Sequence, residues 1–353
     1  MLNIGILGCG KMGRVHAEVF SKNKNCKIAG LYNRTKEKAL DIKKNHPDAK
    51  VFENWQDMIS DPGIDIITIS TPQIQRLEQY RLAAKYGKHV FLEKPMAYGL
   101  NDLKETLEIL DNSNSCFYVD SQIRSQPTIL AINKEIHKIG RIFHIDMEFS
   151  MYREDLKWKH KLISGGGILR ELCGHMIDQA SDWLGEARAV TSNNKIILPG
   201  REVEDFTLNL VEYSNGATLH VSASYFDREG MLYKGRIFGD KGQINFTFSS
   251  YSPDDAMAIM YIGDKKEEIK IDIPSTEDIN TIYPGHMDSF KKEIDCFVKC
   301  VMNGEKALDT LQKEWNTSQV ISASYESSRR DCKVFLPLED FDAKNLKDCY
   351  QYF

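Results

Sequence analysis

The stretch LNIGILGCGKMGRVHAEVFS, residues 2–21, decides the fold. Leu2 to Leu7 is a short apolar run rich in β-formers, and Gly8-Cys9-Gly10-Lys11-Met12-Gly13 follows at once, leading into a helical stretch from Met12 to about Ser21. GxGxxG carries little weight alone. Between a strand and a helix it means a tight turn, close approach of backbone to a pyrophosphate, and a helix N-terminus facing negative charge. Gly8, Gly10, Lys11, Met12 and Gly13 are therefore expected to bind a dinucleotide.

Outward from that turn the chain alternates. A second strand, Lys27 to Tyr32, ends at Asn33-Arg34-Thr35, where an NAD enzyme usually places an acid for the ribose hydroxyls. No acid stands there. Asn33 and Thr35 can donate hydrogen bonds and Arg34 can pair with a 2′-phosphate, so NADP is favoured over NAD. Helices at Lys36–Asn45 and Ile74–Tyr86 separate strands at Lys50–Phe52, Ile64–Ser70 and His89–Leu92. Strands spaced by such helices predict a parallel, doubly wound sheet, whose ligands sit at the carboxyl ends of the strands. Ser70, Thr71 and Pro72 close one strand and Glu93 and Lys94 another, so all five join the expected cofactor site.

SGGGILRELCGHMIDQASD, residues 164–182, carries the second signal. Ile168, Leu169, Leu172, Met176, Ile177 and Ala180 recur at helical spacing as an apolar stripe, while Glu171, His175, Asp178 and Asp182 form a polar one. Glu171 and His175 are one turn apart, a spacing that lets a carboxylate orient an imidazole for acid-base work. The bland alternative is an amphipathic surface helix with an ion pair.

Composition excludes more than it proposes. The chain has 353 residues, 42% hydrophobic and 27% charged, with a net charge of −5. That is an ordinary globular balance, with no reason to expect nucleic acid or an anionic membrane as partner. No apolar run approaches a membrane span and no signal peptide precedes the first strand, so a cytoplasmic location is expected. Eight cysteines and nine histidines show no metal spacing, and no metal is expected.

GxGxxGxxH at Gly8 to His16, STP at Ser70 to Pro72, GKHVFLEKP at Gly87 to Pro95, SGGGxLxELxxHxID at Ser164 to Asp178 and YESSRRDCKVFLP at Tyr325 to Pro337 together resemble the Gfo/Idh/MocA oxidoreductases. The match keeps the family's order along the chain. The resemblance implies a Rossmann domain followed by an α+β domain with an open sheet, a nicotinamide cofactor, and catalysis on a carbinol or carbonyl of a sugar-like substrate. It also implies that Lys94 and His175 are catalytic, with Glu171 where an Asp is common. Arg76 and Asn33 depart from the family's usual His and Asp.

A helix from Ile123 to Ile139 is expected to bridge out of the first domain; the chain then alternates along Arg141–Tyr152, and Asn215-Gly216 marks a hairpin between Glu204–Tyr213 and Ala217–Phe226. With further strands beyond Leu232, a largely antiparallel sheet of six or more strands is expected, covered on one face by the Ser164 helix and helices near His286–Met302 and Leu311–Arg330. Its other face, with Phe246 and Phe248 as outward candidates, predicts a homo-oligomer, dimer or tetramer. A dinucleotide-binding domain over 1–123 and a substrate and oligomerisation domain over 124–353 follow. Arg124, Arg153, Trp158, Arg170 and Tyr283 join Glu171 and His175 as expected substrate-binding residues. The activity expected is hydride transfer between NAD(P) and a hydroxyl-bearing carbon of a sugar, cyclitol or nucleotide-sugar. Two rivals are an NAD-dependent glycosidase of the same family and a non-catalytic cofactor-binding sensor.

Overall fold

The computed structural model describes residues 1–153, 157–164, 166–228, 231–273, 283–339, 346 and 351–352. Six strands form the first sheet: β1 (Leu2–Leu7), β2 (Cys26–Tyr32), β3 (Lys50–Val51), β4 (Ile66–Ile69), β5 (His89–Glu93) and β6 (Phe117–Asp120). All pairings are parallel, in the order β3-β2-β1-β4-β5-β6. Such a sheet is covered on both faces, so its central strands β1, β4 and β5 are almost continuous apolar runs. Ile67 and Val90 point to one core with Tyr80 and Leu103, while Ile66 and Phe91 point to another with Val15 and Phe20. The first core is roofed by α4 (Arg76–Lys85) and α5 (Leu100–Asp111), the second by α1 (Lys11–Lys22). Chain order reverses at the gap between β1 and β4, the place where a doubly wound sheet opens a crevice for ligands.

The second sheet runs β14-β13-β12-β11-β7-β10-β9-β8-β15, edged by the short β14 (Lys265–Glu268) and β15 (Val334–Phe335), with β16 (Gln351–Tyr352) also on β8. Its long members are β7 (Ile142–Ser150), β8 (Ala187–Ile196), β9 (Phe206–Tyr213), β10 (Thr218–Ser224), β11 (Leu232–Gly239), β12 (Gln243–Ser249) and β13 (Met257–Ile262). Pairing is antiparallel except for β7 with β10 and β8 with β16. The Asn215-Gly216 turn joins β9 to β10 as expected, with Gly216 at φ 86°. β8 has no strong alternation, with adjacent Ala189 and Val190 both buried, so its sequence carries no period-2 signal.

Three expectations about this half are corrected. The bridge from 123 to 139 is not one helix: Pro127, lacking an N–H, starts α6 (Pro127–Glu135) and short 3-10 turns flank it. Phe246 and Phe248 face the covered side, each 1% exposed, because their parity on β12 turns them toward the Trp183 and His286 rings. The other face instead presents Leu208, Leu210 and Met257. Finally, α8 (Met287–Asn303) does not cover the second sheet. It returns to the first, burying Phe290, Ile294 and Phe297 against Phe20, Phe91 and Tyr118. Each ring buried there contributes about 1.5–3 kcal/mol. Only α9 (Leu308–Arg330) packs on β8, beside α7 (Gly174–Leu184).

Candidate active site

One cavity of about 1090 Å³ runs from the carboxyl ends of β1, β2, β4 and β5 to the helix that carries His175. Gly8, Gly10, Lys11, Met12, Asn33, Arg34, Thr35, Ser70, Thr71, Pro72, Glu93 and Lys94 line its first part. Gly13 does not line it. A Cβ on Gly13 would stand 1.9 Å from the Gly8 carbonyl oxygen, so this glycine lets α1 close onto the turn. A Cβ on Gly10 would meet no protein atom within 4 Å. Bare backbone facing open space at the start of α1 fits a pyrophosphate, whose charge the helix N-terminus favours.

Asn33 is part of this turn. Its Oδ1 accepts the Cys9 backbone N–H at 3.0 Å and its Nδ2 donates to the Thr35 carbonyl at 2.9 Å. The amide therefore fixes the turn where an aspartate would reach for ribose. Arg34 and Lys38, both exposed, line the rim beyond it, and neither has an ion-pair partner among the described residues. Lys38 was missed, although a second cation four residues after Arg34 was readable.

Lys94 follows β5, and Arg76 braces its turn by donating to the carbonyls of Thr71 (2.8 Å), Glu93 and Pro95 (2.6 Å). Burial holds the Lys94 ammonium below its ordinary value, against the pull of Glu314, Asp178, Glu93 and Glu171. His175, half-buried on α7, lines the same cavity. Burial, then the charge of Lys94 and then His286, push its pKa well below the usual imidazole value. The imidazole is thus neutral at neutral pH and free to accept a proton. The two residues, 81 positions apart, meet at one cavity.

The expected pairing of Glu171 with His175 is not made among the described residues. A π-helical turn over Leu169–Cys173 separates them from regular α spacing, a common device where a helix carries a site. Glu171 accepts the Tyr225 hydroxyl at 2.7 Å and takes Lys159, with Arg153 at 3.5 Å. Burial would raise its pKa, but Lys159, Tyr225 and Arg153 together hold it below the ordinary value. So the helix holds a fixed carboxylate beside a neutral base.

The glycine run preceding this helix serves packing. A Cβ on Gly167 would lie 2.0 Å from the Glu204 carbonyl oxygen, and one on Gly166 2.4 Å from the Tyr325 hydroxyl. The Glu204 carboxylate, 1% exposed, accepts the N–H groups of Gly167 (3.0 Å) and Leu169 (3.1 Å) and the Tyr325 hydroxyl (2.9 Å). Free N–H groups at the helix start are thereby satisfied from another loop. No local pattern announces Glu204; only the fold brings it there. Gly165 lies outside the described residues, as does the side chain of Trp158.

Arg153, Arg170 and Tyr283 line the cavity. Arg170 also donates to the Ala97 (3.2 Å) and Tyr98 (2.5 Å) carbonyls, and Lys11 lies 4.0 Å over the Tyr283 ring. Arg124 does not line it. Its guanidinium grips Asp178 twice at 2.6 Å and also holds Asp182, so these charges neutralise one another.

Residues 2–121 match the model described as an oxidoreductase family with an NAD-binding Rossmann fold, and residues 135–245 match the GFO/IDH/MocA C-terminal domain. The scyllo-inositol 2-dehydrogenase (NADP(+)) IolW of Bacillus subtilis is 24% identical over 95% of this chain and 96% of its own length. The levoglucosan dehydrogenase of Pseudarthrobacter phenanthrenivorans is 25% identical over 75% and 78%. Among solved structures, a levoglucosan dehydrogenase in complex with NADH and levoglucosan superposes with a TM-score of 0.82 at 22% identity, covering 96% of this chain and 99% of that one. With residues 2–121 and 135–245 matched in order, the chain belongs to the GFO/IDH/MocA family of NAD(P)-binding oxidoreductases.

Proposed function

We propose that the chain moves a hydride between NAD(P) and a hydroxyl-bearing carbon of a sugar, cyclitol or nucleotide-sugar. One observation carries this reading: a single cavity joins a bare-glycine phosphate turn to a lysine and a neutral histidine. Bound nicotinamide supplies the hydride exchange, and the protein positions the carbon and handles one proton. His175 takes the hydroxyl proton on oxidation and returns it on reduction. Lys94 donates a hydrogen bond to the same oxygen and stabilises its developing charge. Glu171, held by Tyr225 and Lys159, presents a fixed acceptor to a neighbouring hydroxyl; Arg153, Arg170 and Tyr283 complete the wall.

Gly8 to Gly13, Ser70 to Pro72 and Glu93 to Lys94 hold the cofactor, and Arg34 with Lys38 favours NADP through a 2′-phosphate. In this reading residues 1–123 bind the dinucleotide and 124–353 bind substrate and a second copy. The place of work is the cytoplasm, with a dimer or tetramer as the working form. The names of the inositol and levoglucosan relatives support the substrate class. The test is reduced-cofactor absorbance during a screen of sugars, inositols and sugar acids with NADP and NAD. Cofactor binding without turnover on any member of the panel would favour the sensor. Product formation without accumulating reduced cofactor would favour the glycosidase.

A further inference from the structure

Behind Lys94 lies a group that hydride transfer does not use. Asp120, the last residue of β6, is fully buried, and among the described residues no side chain donates a hydrogen bond to either of its oxygens. One polar atom each from His16, Glu93 and Asp120 lies within 4.8 Å of the others. His16 Nε2 is 3.0 Å from Glu93 Oε1 and 3.9 Å from Asp120 Oδ2, while its Nδ1 is 3.2 Å from Thr68 Oγ1. A single imidazole edge thus faces two carboxyl groups, and its short contact is to Glu93.

A buried carboxylate must be neutralised by a cation, a metal ion or a proton. Among the described residues no lysine or arginine pairs with Asp120, and its one ionic contact is the His16 atom already close to Glu93. A metal fits poorly. Ligands about 2.0–2.2 Å from a tetrahedral ion stand roughly 3.3–3.6 Å apart, whereas 3.0 Å between His16 and Glu93 is the length of a direct N–H···O bond. A proton remains.

We propose that Asp120 is a positioning residue of the hydride-transfer site, a neutral carboxylic acid that shares its proton with Glu93 behind Lys94. Glu93 then carries the one negative charge, shared between the His16 N–H and the Asp120 O–H, and presents it to Lys94 in the cavity. This role rests on the proposed catalytic place of Lys94; the protonation itself does not.

The electrostatics point the same way. Burial first, then Glu93 from β5 and Glu293 from α8, drive the Asp120 pKa well up, while Lys94 and the Gln122 backbone N–H only temper the shift. Glu293 is itself raised by burial, against Ser125, Tyr118, the Ser121 backbone and Arg124. Those are the charged and polar groups that face the pair from each packed element.

The test compares Asp120→Asn, which keeps a neutral donor toward Glu93, with Asp120→Leu, which removes it. In the infrared difference spectrum of wild type minus Asp120→Asn, taken on the intact proteins at neutral pH, a protonated-carboxyl C=O band is expected. The native state holds a proton that the unfolded chain releases above about pH 4, so this contribution to stability falls as pH rises. The melting-temperature difference between wild type and Asp120→Asn should therefore shrink from about pH 5 to pH 8. In turnover, Asp120→Asn should stay within about twofold of wild type with the same pH profile, whereas Asp120→Leu should lose about tenfold and shift the alkaline limb. A missing carboxyl band, a pH-independent difference in melting temperature, or one metal ion per chain by elemental analysis would overturn the protonated acid. An Asp120→Asn enzyme as impaired as Asp120→Leu would overturn its neutral role. A normal Lys94 variant would sink the reading of Lys94 while leaving the infrared result standing.

Discussion

Lys94 Nζ lies 3.5 Å from where a Cβ would stand on Gly174, the residue just before His175. Gly174 begins α7 and leaves the ammonium room beside the base. An alanine fits there at ordinary contact distance and stabilises a helix by about 1 kcal/mol relative to glycine. Gly174→Ala should therefore melt no lower than wild type yet turn over roughly tenfold or more slowly, because its methyl further desolvates Lys94 beside the base. Calorimetry beside steady-state rates checks it; unchanged turnover would separate Gly174 from the site.

Removing either Lys94 or His175 should lower turnover by about two to four orders of magnitude while cofactor affinity stays within a few-fold. Single-turnover rates with cofactor fluorescence titration would show whether chemistry alone is lost. Normal turnover in His175→Ala would end its assignment as the base.

His175 is depressed by burial and by Lys94, so the neutral base persists to lower pH than a free imidazole. The acid limb of kcat/KM for oxidation should fall below about pH 6.5. Lys94→Met removes one depressing charge and should move the His175 titration upward, measured by NMR of the ring. A downward move would show that Lys94 is not the charge His175 feels.

Arg34 and Lys38 line the cavity rim and are proposed to hold a 2′-phosphate, so Arg34→Ala with Lys38→Ala should weaken NADPH about tenfold or more and leave NADH nearly unchanged. Fluorescence titration of both cofactors decides. A wild-type preference for NADH would refute the reading.

Leu208 and Leu210 are 40% and 41% exposed on β9, on the face of the second sheet that no helix covers among the described residues. A charge at their centre should disfavour a second copy. Wild type is expected to scatter light as a dimer or tetramer, and Leu208→Arg with Leu210→Arg as a smaller species with the same far-ultraviolet spectrum. A monomeric wild type at micromolar concentration removes the oligomer.

Sequence by itself determined what is local and periodic. Gly8 to Gly13 specify their turn because only glycine permits φ 99° at Gly8 and the contact of Gly13 with the Gly8 carbonyl. The apolar runs of β1, β4 and β5 specify a sheet buried on both faces, and Lys94 followed from its place at a strand end. Tertiary structure alone decided what depends on partners remote in sequence. The spacing of Glu171 and His175 allowed a pair, but Tyr225, Lys159 and a π turn claimed the carboxylate. Arg124 looked like a substrate ligand until Asp178 and Asp182 took its charge. Glu204 filled the space the glycine run left bare, and α8 chose the first sheet over the second. A side chain's type and period fix which surfaces it can bury, whereas its charge and hydrogen bonds are settled by whichever group the folded chain brings within about 3 Å.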